Sequence, residues 1–350
     1  MNAVTLDDRG EPRLTALDEP VAGPGEIVLG MRWSGLCGTD LFKLASALPA
    51  AGTVLGHEVV GEVLALGPGV EGLAAGDRVV VPHHAACGDC YDCLAGAETQ
   101  CAAFRENLLA PGGFSTRILV RRRAVRSLAR RLPAALDDLD AIFLEPAACV
   151  LRSLRKSRVL ALPAPVAAQG PRVAAILGGG SMGLLHLLVL RATGAAARVV
   201  LVDPRDDRRR LALELGADAV TEPGAGLFEA VRLASSDGRG ADAVFDCVGG
   251  SALTAAALAA LRPGGTAVLF AHGREGESAG FALNDLFKHE KRLVGAYSGA
   301  LAEQSEIWEL LCSGRLRPAV LVSHRLPLAE FAHGLALARA QQALKVVFHP

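Results

Sequence analysis

The sequence predicts an α/β protein in two parts: a mostly β, barrel-like domain, and an inserted domain built on a doubly wound parallel sheet. Three observations lead there. Short strand-like runs separated by glycine-rich turns fill the first third, a strand–glycine turn–helix pattern centres on residue 178, and strands and helices alternate from there to about 289. The expected ranges are 1–152 with 290–350 for the first domain and 153–289 for the second.

With 350 residues, 51% of them hydrophobic, the chain can bury a large core, and its length favours two domains. A net charge of -1 gives no basic footprint for nucleic acid or an anionic membrane surface. No uncharged apolar run reaches the ~18 residues of a membrane span, and the start, Met1 to Asp8, does not read as a signal peptide. A small-molecule partner and a cytoplasmic location are the expectations.

In chain order, the turn Val21–Glu26 leads into an apolar run from Ile27, read as a strand that ends at Trp33. Val59–Leu66 and Asp77–Pro82 repeat the pattern. Loops between these strands present Cys37-Gly38-Thr39-Asp40 and Gly56-His57-Glu58. A thiolate, an imidazole and carboxylates, with Glu145 further on, form the mixed donor set that suits a catalytic zinc with an open position. Adjacent residues on a strand face opposite ways, so His57 and Glu58 can both reach one metal only across a bend. Thr39 has two readings, a hydroxyl beside the metal or an N-cap.

Cys87, Cys90, Cys93 and Cys101 fall within fifteen residues of a long chain, a spacing that closes a tetrahedron around a structural zinc. His83 and His84 lie just upstream and are not needed as ligands. Cys149, Cys247 and Cys312 read as structural. Six arginines between 121 and 131 read as a solvated face, offset by Asp137, Asp138 and Asp140. Glu145 opens a helix-like stretch with Pro146 in its first turn, where the missing N–H costs nothing.

Pro163, Pro165 and Pro171 mark the change of domain. The strand Arg172–Leu177 then runs into Gly178-Gly179-Gly180-Ser181-Met182-Gly183 and a helix. In that order the glycines allow close backbone approach, and the helix start offers N–H donors to a pyrophosphate. Asp203 ends the next strand, twenty residues after Gly183. A carboxylate there would bind the ribose diol and repel a 2′-phosphate, favouring NAD over NADP, although Arg205, Arg208, Arg209 and Arg210 blunt that inference. Val248, after the strand from Ala243, completes the cofactor-binding set. The tail after 289 is expected to rejoin the first domain.

Taken together, Gly35 to Asp40, Gly56 to Glu58, the cysteine lobe, Gly112-Gly113-Phe114, Glu145-Pro146 and the glycine fingerprint resemble the zinc-containing medium-chain alcohol dehydrogenases. Within that family they look like the sorbitol, threonine and polyol dehydrogenase branch, over essentially the whole length. The resemblance implies a GroES-like catalytic domain, a Rossmann cofactor domain, two zinc ions per chain, and a homodimer or homotetramer. It implies that Cys37 and His57 hold the catalytic zinc, with Glu58 and Glu145 as the exchangeable carboxylate and the residue positioning the metal's water. Thr39 would accept the substrate proton, and Arg208 would stand by the cofactor ribose. Relatives that oxidise simple alcohols tend to have cysteine at the place of Glu145, so the carboxylate points to a polyol, sugar alcohol or cyclitol. Many relatives carry a histidine where this chain has Phe42, which leaves the end of the proton relay to water or Lys43. Rival readings are a threonine or amino-alcohol dehydrogenase, a zinc-free quinone-reductase-like relative, and a binding protein that uses the cysteine lobe as a zinc module.

Overall fold

The computed structural model describes residues 1–46, 49–160, 170–195 and 197–350, so Pro163 and Pro165 fall outside it. Two compact units emerge, Met1–Pro146 with Ala300–Pro350, and Ala147–Gly299.

The first unit is built on the long strand Ile27–Gly35, which pairs antiparallel with Glu58–Leu66, and that strand in turn with Arg78–Pro82. β-branched residues suit these strands, and side chains on both faces are buried. Val59, Val60, Val63, Val79 and Val81 are at most 2% exposed. The last strand, Lys345–His349, lies antiparallel against the same long strand, with Val347 opposite Gly35. The end of the chain is thereby brought beside the loop that carries Cys37. Phe114, Phe331 and Phe348 pack ring on ring beneath, at 4.7 to 5.7 Å. The long strand continues to Gly35 rather than stopping at Trp33, so Cys37 sits directly past its end.

The second unit is a six-stranded parallel sheet. Its spatial order is Ala219–Thr221, Ala197–Val202, Arg172–Leu177, Ala241–Asp246, Leu261–Leu269, Arg292–Gly295. Numbered along the chain this is 3-2-1-4-5-6, the doubly wound order whose crevice opens beside the first strand. Arg292–Gly295 lies past residue 289, so the boundary expected there cuts off the sheet's last strand. The helix Leu144–Ser157 runs through the other junction without a break, which is why no sequence signal marks it. Among the described residues no helix is long and apolar enough to cross a membrane.

Candidate functional site

The helix Gly38–Ser46 starts immediately after Cys37, so Cys37 occupies its N-cap position and its Sγ accepts the N–H of Thr39 at 3.5 Å. Thr39 lies inside the first turn, which removes the N-cap reading for it. Asp40, fully buried in the same turn, accepts the N–H of Cys37 at 3.1 Å and of Gly56 at 3.3 Å, and faces His57 Nδ1 at 3.4 Å. One carboxylate therefore ties together the two loops that present Cys37 and His57.

The chain turns just before His57 at Gly56, whose φ is +91°. A Cβ there would lie 2.8 Å from the backbone nitrogen of Phe114, so only glycine fits. The strand begins at Glu58, leaving His57 outside it, and the ligand atoms of Cys37, His57 and Glu58 all lie within 4.8 Å of one another. That grouping does not include Glu145, which is half-buried in the first turn of Leu144–Ser157.

Burial opposes a charge on His57, but the carboxylate of Asp40 and the sulfur of Cys37 outweigh it and hold the imidazole's pKa well above its ordinary value. Burial likewise works against ionised Asp40, yet His57 and the N–H groups of Cys37 and Gly56 bring it below the ordinary value. Glu58 forms an ion pair with Lys345, and both side chains are at most 3% exposed. Desolvation lowers the pKa of Lys345, but Glu58, Cys37 and Asp40 more than offset it, and the net shift is upward. Gly35 makes room for this pair, since a Cβ there would overlap Glu58 Oε2.

Asp40 and Lys345 were not legible as site residues from composition or spacing. Lys345 did carry a signal: it is the one charge in the apolar run Leu344–Phe348, and a buried lysine requires an anion. His83 and His84 belong to neither group of possible metal ligands among the described residues. They still border the site. The His83 ring lies 4.6 Å from that of His57, and His84 stacks on His83 at 3.6 Å. Burial first, then the positive neighbours His57 and Lys43, push His84 down to about 4, so it is neutral.

Cys87, Cys90, Cys93 and Cys101 form the second grouping. Their sulfurs approach at 3.8, 3.5 and 3.5 Å. A tetrahedron with Zn–S of ~2.3 Å has edges of ~3.8 Å, so the donors fit zinc. The Cys101 thiol is drawn down to about 6, first by the N–H of Cys87, while Cys87 is pushed up to about 12 by its hydrogen bond with Asp89. Four sulfurs this close cannot all ionise without a cation.

Arg121, Arg122, Arg126 and Arg131 of the arginine run are exposed, but the carboxylates that pair with the run are not those expected. Arg121 meets Glu26, Arg123 meets Glu106 and Arg131 meets Asp77. Asp138 instead binds Arg32 and Arg78, Asp140 binds Arg317, and Asp137 caps a helix at Leu139. Of the three spare cysteines, Cys312 is exposed rather than packed, while Cys149 and Cys247 are half-buried.

In the second unit Gly178 has φ +101°, and a Cβ on it would meet Val248 at 2.5 Å, while one on Gly183 would meet the Gly178 carbonyl at 1.8 Å. Gly180 faces open space, as close approach by a pyrophosphate requires. Ser181 and Met182 open the helix Ser181–Ala192, whose first N–H groups have no partner within the helix. The Ser181 hydroxyl is buried without a hydrogen bond. Asp203 accepts the N–H of Gly179 at 2.7 Å and of Arg205 at 2.8 Å, so its charge is fixed beside the fingerprint. Arg208 is buried next to it, while Arg205 pairs with Asp207, and Arg209 and Arg210 pair with Asp206.

Two family models match, an alcohol dehydrogenase GroES-like domain over residues 23–130 and a zinc-binding dehydrogenase domain over 181–313. A probable zinc-binding alcohol dehydrogenase of Mycobacterium tuberculosis is 32% identical, covering 99% of this chain and 88% of its own. An L-threonine 3-dehydrogenase of Pyrococcus abyssi is 29% identical over 96% and 94%, and a sorbitol dehydrogenase of Halalkalibacterium halodurans 27% over 100% and 99%. The crystal structure of a putative zinc-binding dehydrogenase from Sinorhizobium meliloti bound to NADP superposes with a TM-score of 0.86 at 27% identity, covering 100% and 99%. A GroES-like β unit carrying a cysteine–histidine–glutamate cluster, joined to a doubly wound sheet, defines a zinc-type dehydrogenase. The chain belongs to the zinc-dependent medium-chain alcohol dehydrogenase family.

Proposed function

We propose that the protein oxidises a secondary alcohol of a polyol, sugar alcohol or cyclitol to the ketone, with NAD as hydride acceptor. The observation that carries this reading is the convergence of Cys37, His57 and Glu58 within 4.8 Å. When bound, zinc supplies Lewis acidity to the substrate hydroxyl and NAD takes up the hydride.

The chain's own residues do the rest. Cys37 and His57 hold the metal, with Glu58 and Glu145 as the carboxylates. Asp40 fixes the His57 tautomer through Nδ1, which leaves Nε2 to the metal. Lys345 balances the Glu58 charge, so that carboxylate can serve as a ligand that comes and goes. The Thr39 hydroxyl receives the substrate proton. Phe42 cannot pass it on, which leaves that step to water or to Lys43, and the exposure of Lys43 one turn after Thr39 supports the second route. Cys87, Cys90, Cys93 and Cys101 hold the structural zinc. The glycine turn, with Ser181, Met182 and Val248, takes the pyrophosphate side of NAD.

Asp203 supports NAD over NADP, because a 2′-phosphate would meet its carboxylate and the surrounding arginines are already paired. Glu145 in place of a cysteine supports a polyol. The threonine dehydrogenase relatives make an amino alcohol the second substrate class, and a panel of polyols, cyclitols and L-threonine with each cofactor separates the two. Turnover of a polyol or cyclitol ahead of threonine supports the first; the reverse order replaces it.

A further inference from the structure

His186 is a polar ring in an apolar interior. It is 0% exposed, 4.6 Å from the Phe270 ring and 5.2 Å from that of Phe245, a setting in which an unsatisfied ring nitrogen would be costly. Both nitrogens are engaged. Nδ1 lies 2.7 Å from the carbonyl oxygen of Met182, and Nε2 lies 2.8 Å from Oγ of Ser153, itself fully buried. A carbonyl only accepts, so Nδ1 carries the proton. Burial keeps the ring neutral, with its pKa down to about 4, so Nε2 accepts and the Ser153 hydroxyl donates to it. The alternative, Ser153 donating to the Val150 carbonyl at 2.7 Å, would leave Nε2 protonated and the bare Nδ1 facing the Met182 oxygen. Cys247 completes the surroundings, its Sγ 3.6 Å from Nδ1.

These contacts lie under the glycine turn. Met182 is the fifth residue of the fingerprint, and Cys247 precedes Val248, the side chain against which Gly178 packs. We infer that His186 is a positioning residue for the dinucleotide: its Nδ1–H holds the Met182 carbonyl, and with it the first turn whose N–H groups receive the pyrophosphate, while Ser153 fixes the ring. This inference rests on the cofactor assignment above and adds a residue that acts through the Met182 carbonyl.

Calorimetric binding of NAD to the zinc-loaded full chain, with melting temperature in parallel, tests it. Wild-type binding is measured first; if neither NAD nor NADP binds, the cofactor reading itself fails and takes this inference with it. Given binding, His186→Leu loses both contacts, His186→Gln can reach only Ser153, and His186→Asn can reach only Met182. All three lower the melting temperature. The inference requires NAD affinity to fall about three- to tenfold in the Leu and Gln variants and to be restored to within about twofold of wild type in the Asn variant. Equal affinity in all four proteins, or equal loss in all three variants, overturns it, because a purely packing role would not distinguish Asn from Gln.

Discussion

Lys345 and Glu58 form an ion pair sealed from solvent, with side chains 3% and 0% exposed, Glu58 directly after His57 and Lys345 five residues before Pro350. Removing the ammonium strands a buried carboxylate. Lys345→Met should therefore destabilise the first unit by about 3–5 kcal/mol in chemical denaturation, and Lys345→Met with Glu58→Gln should recover much of that loss. A double variant no more stable than the single one would show that the pair's charge is not what matters.

Zinc loading at the Cys37 site should depend steeply on pH. The metal requires a neutral imidazole, while Asp40 and Cys37 hold the His57 pKa well above its ordinary value in the metal-free protein. Below that raised value a proton competes, so the apparent zinc dissociation constant should rise about tenfold per pH unit on acidification. In Asp40→Asn the steep region should move to lower pH, because the anion that favours protonated His57 is gone. Zinc titration monitored by a chromophoric chelator reads both effects, and a flat profile from pH 6 to 8 would refute the His57 assignment.

The same pair bears on metal-free stability. His57 has its folded pKa raised, so its contribution is fully present below the unfolded value of about 6.5 and is lost as pH climbs through the folded one. Asp40 has its pKa lowered, so its contribution is present above about 3.8 and is lost on acidification through the folded value.

The cysteine lobe should behave as a staple without chemistry. Cys101→Ser, at a buried position, should remove one zinc and lower the melting temperature by roughly 5–10 °C, equivalent to a few kcal/mol. The catalytic zinc and the ratio of NAD to NADP use should remain. Loss of the catalytic zinc in this variant would argue against two independent metal centres.

Cofactor choice should follow Asp203. Wild type is expected to favour NAD by about tenfold or more in kcat/KM, roughly 1.4 kcal/mol. Asp203→Ser should narrow that ratio. Its NAD affinity should also weaken, because the side chain holds the N–H of Gly179 at 2.7 Å. An unchanged ratio would move the determinant elsewhere.

Much of this was readable from the chain because the decisive features are local. The cysteine spacing, the glycine turn before a helix, and the alternation of strands and helices each sit within one short stretch. What stayed hidden depends on contacts between distant stretches. Lys345 meets Glu58 only because the last strand pairs with Ile27–Gly35, with Val347 opposite Gly35. Asp40 was in plain view within the Cys37 motif, but its role follows from facing His57 seventeen residues away. The boundary at 289 missed the strand Arg292–Gly295 because four residues are too short for periodicity to register.

Metal content and turnover, measured together on the same preparations, test the central claim most directly. Wild type should hold about two zinc ions per chain, and Cys37→Ala and His57→Ala about one, with NAD binding near normal and alcohol oxidation abolished. Retained alcohol oxidation in a variant that has lost that zinc would contradict the account.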